Sequence, residues 1–475
     1  MDKNWIQDRL KQILGPERVL AGELNHRMYS YDSSFLARLN NYIPDAVAFP
    51  ASTGQVAEVM KFAWANNIPV TPRGAGTGET CGCVAVRGGI VLDLSPWDKI
   101  EEVDTANMQA LVRPGVIHAS LNEHLESHGL FFPPDPGSSR MCTLGGMVAN
   151  NSSGLRAVKY GTTEHYVLGL EVVLPDGEVI ITGGAACRAI KNVSGLNLTQ
   201  LFTGSEGVLG VITLIRLRLW PRPGARGMIM AQFRRLADAT PTVLEVYRGG
   251  ILPSGVEILD DSAIRAVNLY YPEAALPEEA EAILLFEVDG NPASVQWEGE
   301  QIAAIAGRRA IRVEWATEKG RMAGLWQGRS LVAAAAARLQ PGSTRIFAGE
   351  DICVPLSRVA EALEQIKALG QRHGIAVVNF GHIGDGNIHT APVIDPRDRD
   401  QVARAARLVD EIHRLAIRLG GSTTGEHGVG AVRSCYAREE HGAALDTMLK
   451  VKRALDPKNI MNPGKIFPGS EGEQV

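Results

Sequence analysis

The sequence contains no Cys-x-x-Cys pair, although it has six cysteines: Cys81, Cys83, Cys142, Cys187, Cys353 and Cys435. This absence excludes the common iron–sulfur and zinc-ribbon frameworks within the chain. Only one glycine separates Cys81 from Cys83, which leaves a redox pair open, but two small buried thiols are the simpler interpretation. We expect reduced cysteines, as is typical of a cytoplasmic protein.

Long apolar runs and an excess of one charge are also missing. The longest apolar run, 331–337, is far shorter than the roughly 20 residues that cross a bilayer. The first ten residues are charged and amphipathic, unlike a secretory signal. The net charge of −5 provides no general basic field for nucleic acid. These absences predict a cytoplasmic protein without a transmembrane segment and without a nucleic-acid partner.

Glycine, by contrast, is abundant, with 51 among 475 residues. That share exceeds the usual value of about 7%, and the glycines are concentrated in short loops rather than in repeats. Such loops let the backbone turn sharply and approach a ligand closely. The length predicts two or three domains, and the Pro-Arg-Pro-Gly run at 221–224 marks the first predicted boundary.

One glycine loop follows a predicted strand at 68–70. The spacing of Gly74, Gly76 and Gly78 does not match the G-x-G-x-x-G dinucleotide fingerprint, and the residues after it do not favour a helix. The loop still suits a pyrophosphate, because consecutive amide groups form an anion-binding nest and Arg73 adds positive charge. A bare glycine turn is the alternative.

Three further segments extend this pattern. They span 134–146, 150–161 and 204–212, and they combine small residues with short polar side chains near predicted strand ends. An extended cofactor lying along a domain requires such residues.

Two histidine-bearing loops are the most unusual feature. A predicted strand at 375–380 leads into a glycine-rich loop with His382 and His389 at its ends, and a later run carries Glu426 and His427. Three imidazoles and a carboxylate suffice for a divalent metal and a base, and they suit zinc, manganese or iron better than calcium. Asp385 could orient a ligand. Ordinary hydrogen-bonded histidines at strand ends are the alternative.

Taken together, these motifs resemble the vanillyl-alcohol oxidase/para-cresol methylhydroxylase (PCMH) superfamily of flavoproteins. The C-terminal half is similar to its branch of D-lactate dehydrogenases, glycolate oxidase FAD subunits and D-2-hydroxyglutarate dehydrogenases. The resemblance covers about 45–468 and implies an α+β fold. It implies a two-subdomain PCMH-type FAD-binding domain at 1–222. It also implies an α+β substrate (cap) domain with an antiparallel sheet at 223–420, which carries the metal-histidine loop, and a segment at 421–475 that returns to the FAD domain.

The resemblance also implies the residues that bind FAD. The pyrophosphate loop would be Arg73, Gly74, Ala75, Gly76, Thr77 and Gly78. The rest of the flavin would contact Pro136, Ser139, Thr143, Gly146, Asn150, Ser153, Gly154 and Tyr160. Glu206, Gly210 and Ile212 would approach the adenine half, and Asn462 the isoalloxazine. Some relatives attach FAD through a histidine in the pyrophosphate region. This chain has none there, so we expect non-covalent FAD.

For catalysis, the resemblance implies that His382, His389 and Glu426 bind a divalent metal, and that His427 is the base. The metal would orient the substrate and acidify its hydroxyl, His427 would take the proton, and the hydride would pass to flavin N5. Arg329 would bind the substrate carboxylate, with a surface arginine on a helix as the alternative.

The substrate is predicted from the segment 349–355, which resembles that of D-lactate dehydrogenases. Hydroxyglutarate enzymes carry a lysine where this chain has Gly349, which favours a monocarboxylate. The prediction is therefore oxidation of D-lactate to pyruvate, with glycolate or D-2-hydroxyglutarate as alternative substrates.

Electrons would pass to an external acceptor: a quinone, a cytochrome, or an iron–sulfur or other electron-transfer partner subunit, which could hold the chain at the inner face of a membrane. Two rivals remain. One is a flavin-free metallohydrolase. The other is a non-catalytic cofactor-binding subunit, against which the complete set of histidines and Glu426 argues.

Overall fold

The computed structural model describes residues 3–184, 187–346 and 351–468. They form two compact units, each assembled from separated parts of the chain. The first unit comprises the described residues of Met1–Ser153, Thr162–Arg222 and Glu426–Val475. The second comprises those of Gly154–Gly161 and Pro223–Gly425. Among the described residues, no helix has both the length and the apolar composition needed to cross a bilayer.

Strands β1–β10 belong to the first unit and strands β11–β18 to the second. The strands are β1 (Ala46–Ala48), β2 (Val70–Arg73), β3 (Ile90–Asp93), β4 (Ile100–Asp104), β5 (Gln109–Val112), β6 (Leu130–Phe131), β7 (Val167–Val173), β8 (Val179–Ile181), β9 (Val211–Arg218), β10 (Trp220–Pro221), β11 (Ala225–Phe233), β12 (Gly255–Asp260), β13 (Ala282–Gly290), β14 (Arg312–Ala316), β15 (Thr344–Arg345), β16 (Ile352–Cys353), β17 (Ala376–Gly381) and β18 (Asn387–Ile394).

Helices α7 and α9–α14 belong to the second unit, and the other helices belong to the first. The helices are α1 (Lys3–Leu14), α2 (Glu23–Arg27), α3 (Phe35–Leu39), α4 (Thr53–Asn66), α5 (His118–Glu126), α6 (Leu144–Asn150), α7 (Ala157–Tyr160), α8 (Leu198–Phe202), α9 (Leu236–Arg248), α10 (Asp261–Tyr270), α11 (Pro292–Ala306), α12 (Lys319–Ala336), α13 (Val359–His373), α14 (Arg399–Arg418), α15 (Ala437–His441) and α16 (Ala444–Leu455). Short 3-10 turns lie at Pro16–Arg18, Thr163–His165, Pro272–Ala274, Leu356–Arg358 and Ser434–Tyr436.

Two sheets form the frame of the first unit. In the three-stranded sheet, β1 and β2 flank β3 and all pairs are parallel, so a crossover through α4 joins β1 to β2. This helix begins after Ser52, whose hydroxyl accepts a hydrogen bond from the Gln55 amide at 3.2 Å. Its inner face is buried at Val56, Val59, Met60 and Ala63. The five-stranded antiparallel sheet has the order β4-β5-β9-β7-β8 and contains the predicted β7–β8 hairpin.

One antiparallel sheet of eight strands organises the second unit. Its order is β14-β11-β13-β12-β17-β18-β15, and β16 also pairs with β18. The inner strand β13 is buried along almost its whole length. Gly227 makes room on one face for Trp315, because a Cβ atom there would lie 2.2 Å from the indole ring. The predicted α+β class with an antiparallel sheet in the C-terminal half is therefore confirmed.

Local boundaries differ from the sequence pattern by a few residues. The helix predicted at 402–419 runs over Arg399–Arg418, because Asp398 accepts hydrogen bonds from the amides of Asp400 and Gln401 and starts it earlier.

The glycine loop after β2 is not followed by a helix, since the next described helix begins at His118. The rejection of the dinucleotide fingerprint is confirmed.

A buried lysine ties the C-terminal helix α16 to the core of the first unit. The ammonium of Lys452 donates hydrogen bonds to the carbonyl oxygens of Val208 and Met461, each at 2.8 Å, and it pairs with the carboxylate of Asp456. Burial lowers the pKa of Lys452. Because Asp456 is also buried, the pair needs both members to offset the cost of desolvation.

We expect Lys452→Ala to lower the free energy of unfolding by about 3–5 kcal/mol, because it leaves the Asp456 carboxylate buried without its cation. Urea denaturation followed by circular dichroism measures the change. The control is Lys450→Ala on the exposed side of the same helix, which should leave the free energy nearly unchanged. Equal effects of the two substitutions would contradict this role of Lys452.

Candidate active site

The glycine loop of the first unit begins where β2 ends at Arg73. A Cβ atom on Gly74 would lie 2.2 Å from the Thr143 hydroxyl, and Gly76 has a φ of +72°, which favours glycine. Thr143 in turn caps α6 by accepting a hydrogen bond from the Gly146 amide at 3.2 Å. The loop therefore lies directly against the start of α6.

A second wall of this loop comes from residues 29–34, which no sequence motif had marked. The Arg73 guanidinium lies 5.2 Å from the Tyr29 ring centre and donates to the Tyr31 carbonyl at 3.1 Å. The Ser33 amide donates to the Gly78 carbonyl at 2.9 Å. An isolated aromatic ring and backbone groups carry no signal in a single sequence, so only the fold reveals this wall.

Within the part of the chain that the structure describes, the side-chain amide of Asn462 has partners at its nitrogen but not at its oxygen. Its amide group donates to the carbonyl oxygens of Gly82 and Glu206, at 2.8 and 2.7 Å. Its Oδ1 atom is buried and accepts no hydrogen bond from any residue in the described ranges. A buried acceptor without a partner costs about 1–3 kcal/mol, which a donor on a ligand would recover. Together with the bare glycine loop, this atom fits FAD.

Ser139, a predicted flavin residue, contacts the buried ring of His118 and the carbonyl group of Pro136. Burial lowers the pKa of His118 to about 4, so its neutral ring donates from Nδ1 to the Ser139 hydroxyl at 2.7 Å while Asn122 donates to Nε2. The Pro136 carbonyl accepts from the Ser139 amide. Ser153 is buried.

Gly210 and Ile212 have packing contacts within the five-stranded sheet. A Cβ atom on Gly210 would lie 2.7 Å from the Val172 side chain, and Ile212 is the strand partner of Val172. Gly154 and Tyr160 belong to the second unit, where the Tyr160 hydroxyl donates to Asp289 at 2.8 Å. The flavin contacts expected of all four remain predictions.

The loop at 426–430 is held within the first unit by two of the predicted flavin residues. The Glu206 carboxylate accepts hydrogen bonds from the amides of Val429 and Gly430, each at 2.7 Å. The Asn150 amide donates to the Glu426 carbonyl at 2.8 Å. Desolvation raises the pKa of Glu206, and the two amide donors oppose that rise. These contacts fix the backbone on either side of His427.

His427 is flanked by two carboxylates of the same unit. Its Nδ1 atom lies 3.3 Å from Glu79 and its Nε2 atom 3.4 Å from Glu426. The ring is about one-fifth exposed, at 22%. Nearby negative charge stabilises an imidazolium, so this environment favours proton acceptance by His427.

In the second unit, His382 opens the loop that joins β17 to β18, and His389 is the third residue of β18. Gly381 and Gly386 have φ values of +154° and +89°, and a Cβ atom on either would approach a backbone oxygen to 2.6 Å or less. The turn brings the two imidazole centres to 5.0 Å, with the rings nearly perpendicular. The predicted strand and the glycine loop that begins at His382 are confirmed, whereas His389 lies within β18 rather than at the end of the loop.

Glu257 contacts His382 and was not identified from the sequence. Its carboxylate accepts hydrogen bonds from His382 Nδ1 and from Arg329 Nε. Arg329 lies on α12, and its guanidinium is 4.9 Å from the centre of the Phe380 ring. A glutamate within an apolar strand carries no distinctive spacing, which explains why the pattern missed it.

Asp351 is a second buried carboxylate beside the histidines. One of its oxygens lies within 4.8 Å of a ring nitrogen of His389. Asn387 donates to Oδ1 at 2.8 Å and Thr424 to Oδ2 at 2.6 Å. Two imidazoles, each accompanied by a carboxylate, match the donor types that zinc, manganese and iron accept. The second unit therefore contains residues that fit a divalent metal.

The remaining predicted residues lie elsewhere. Glu426, the third predicted metal ligand, belongs to the first unit. Asp385 accepts a hydrogen bond from the Asn387 amide at 3.4 Å within its own turn. Gly349, on which the substrate prediction depends, lies outside the described residues.

Two family profiles match the chain. Residues 44–183 match the FAD binding domain, and residues 222–466 match the C-terminal domain of FAD linked oxidases. The chain is 37% identical over 472 residues to glycolate oxidase subunit GlcD of Bacillus subtilis (strain 168), covering 99% of this chain and 98% of that protein. It is 35% identical over 466 residues to the probable mitochondrial D-lactate dehydrogenase of Danio rerio, covering 97% and 91%.

A solved structure shares the fold at low identity. The crystal structure of p-cresol methylhydroxylase with substrate bound superposes with a TM-score of 0.81 at 18% identity, covering 98% of this chain and 97% of that chain. The expected PCMH-type fold is therefore confirmed. The chain belongs to the FAD-linked oxidases, and it is a FAD-linked oxidoreductase of the D-lactate dehydrogenase and glycolate oxidase GlcD type.

Proposed function

We propose that this oxidoreductase converts a D-2-hydroxy acid to the corresponding 2-oxo acid, with D-lactate to pyruvate as the preferred reaction. The observation that carries the proposal is the linked set of Arg329, Glu257 and His382 in the second unit. It supports recognition of a carboxylate by a guanidinium close to an imidazole that suits a metal. The relatives named for D-lactate and for glycolate agree with this substrate class.

Arg329 would bind the substrate carboxylate. Its Nε atom is engaged by Glu257, which leaves the two terminal amino groups to make the paired hydrogen bonds that suit a carboxylate. The side chain is mostly buried, at 14% exposure. Arg321 on the same helix is a weaker candidate, since it is exposed and paired with Glu314.

His427 would take the hydroxyl proton of the substrate. The flanking carboxylate of Glu79 would stabilise the charged ring that results. Bound FAD, held non-covalently by the residues of the glycine loop and by Asn462, would accept the hydride from the substrate carbon. A divalent metal bound by His382, His389 and Glu426 would make the hydroxyl more acidic.

The oxidation releases two electrons, which an external acceptor must remove from the flavin. The Bacillus subtilis relative is named as a subunit of glycolate oxidase, which supports a partner protein as that acceptor. A quinone or a cytochrome would serve the same chemistry. The FAD binding domain argues against the flavin-free metallohydrolase.

We expect the purified protein to give its highest kcat/KM with D-lactate in an assay with an artificial electron acceptor. L-lactate, glycolate and D-2-hydroxyglutarate serve as comparison substrates. A preference for glycolate or for D-2-hydroxyglutarate would transfer the proposal to that acid. Turnover of none of these acids by FAD-loaded protein would contradict the proposed function.

We expect Arg329→Ala to raise the KM for D-lactate about 10–100-fold, because it removes charge-assisted hydrogen bonds worth about 1.5–3 kcal/mol. Steady-state kinetics at saturating acceptor measure the change. Arg321→Ala is the control and should keep the wild-type KM. An unchanged KM in Arg329→Ala would exclude this residue from substrate binding.

We expect His427→Ala to lower kcat about 10²–10⁴-fold while FAD stays bound, because the variant lacks the proton acceptor. Rapid mixing with D-lactate measures the rate, and acid precipitation should release the flavin from both proteins. His124→Ala, in the exposed last turn of α5, controls for loss of an imidazole. Wild-type kcat in His427→Ala would refute the assignment of the base.

A further inference from the structure

Strand pairing places Glu257 opposite the histidine loop. In the antiparallel pair of β12 and β17, Ile258 is the partner of Gly381 and Leu259 the partner of Phe380. The next pair outward along this register is Glu257 with His382. The contact therefore follows from the sheet itself and not from a chance side-chain conformation.

Glu257 has no access to solvent, and both of its partners are also largely buried. The exposed fractions of the side chains are 0% for Glu257, 12% for His382 and 14% for Arg329. A carboxylate in such a place costs several kcal/mol unless its oxygens are matched. One oxygen accepts from the imidazole and the other from the guanidinium, so both are matched.

We propose that Glu257 is a positioning residue that sets two functional side chains at once. It holds the proton of His382 on Nδ1, so that Nε2 is the nitrogen that faces a metal, and it orients the guanidinium of Arg329 toward the substrate carboxylate. This inference deepens the proposed function and rests on it.

The carboxylate of Glu257 can only accept hydrogen bonds, so the nitrogen of His382 that contacts it must carry the proton. An imidazole whose Nδ1–H donates to a carboxylate has its lone pair on Nε2 and is a stronger metal ligand. The negative charge of Glu257 also lies between two positive charges, those of Arg329 and of a metal on His382. It therefore lowers the repulsion between Arg329 and a metal on His382, which would otherwise oppose metal binding.

The effect on Arg329 arises from contacts on two sides. Glu257 binds Nε, and the face of Phe380 lies 4.9 Å from the guanidinium carbon. The Phe380 ring is also 5.3 Å from the ring of His389, its strand partner. The guanidinium therefore has a fixed plane, which a two-point hydrogen bond to a carboxylate requires.

Glu257→Gln is the direct test, because it keeps the size of the side chain but offers a single acceptor oxygen. The amide cannot serve both donors, so its NH₂ group must face either Arg329 Nε–H or His382. We expect the dissociation constant for Zn²⁺ and for Mn²⁺, each added alone, to rise about 10–100-fold. We expect the KM for D-lactate to rise at least about tenfold, with the FAD content unchanged.

The sheet offers a matched control in Glu287 on β13. This buried carboxylate accepts two hydrogen bonds from Arg156, at 2.6 and 2.8 Å, so Glu287→Gln also disrupts a buried carboxylate–arginine pair. Titration calorimetry on the metal-stripped, FAD-loaded chain gives the metal affinity of each variant. If Glu257→Gln does not fold, Glu257→Asp is compared with Glu287→Asp in the same assays.

Loss of metal affinity and a raised KM in Glu257→Gln, but not in Glu287→Gln, would support the proposal. Wild-type values in Glu257→Gln, or equal losses in both variants, would overturn it. The wild-type protein and His382→Ala decide the proposed metal centre separately. If the wild type binds neither metal, the metal centre is wrong, and the KM of Glu257→Gln alone decides the role of Glu257 toward Arg329.

Discussion

The need to match buried carboxylates is the constraint on which both histidine loops depend. Glu257 is fully buried and is matched by His382 and Arg329. Glu206 is largely desolvated and is matched by backbone amides of the loop that carries His427. In each unit, a carboxylate on a strand or tight turn thus binds a histidine or the loop that carries one. A buried carboxylate without hydrogen-bond donors is costly, so the donors on His382 and on the loop around His427 are held against these carboxylates.

Glycines complete this arrangement by allowing the backbone to reach those partners. Gly381 and Gly386 permit the turn between β17 and β18, where a Cβ atom would collide with backbone oxygens. Gly428 has a similar position, since a Cβ atom there would lie 2.4 Å from Asn150 and 2.9 Å from Glu206. These glycines therefore allow close packing of the loops that carry the histidines.

The sequence alone predicted the features that are local or that carry several motifs in order. The α+β class, the FAD-binding family, the strand before His382 and the helix capped by Ser52 are all of this kind. It did not reveal Glu257, Asp351 or the wall at residues 29–34. These positions come from strand register and tertiary packing, and a buried glutamate or aspartate looks like any other charged residue in one sequence. The histidine-bearing loops could be recognised in the sequence, but the carboxylates of Glu257 and Asp351 that lie close to His382 and His389 could not.

The most direct measurement is the visible spectrum of the purified, FAD-loaded protein during anaerobic addition of D-lactate. The proposed function predicts that the flavin absorbance near its visible maximum is lost at a stoichiometry of one D-lactate per FAD, with one pyruvate formed. L-lactate should leave the spectrum unchanged. A flavin spectrum that persists in the presence of D-lactate, glycolate and D-2-hydroxyglutarate, with metal supplied, would contradict the assignment of this protein as a 2-hydroxy-acid dehydrogenase.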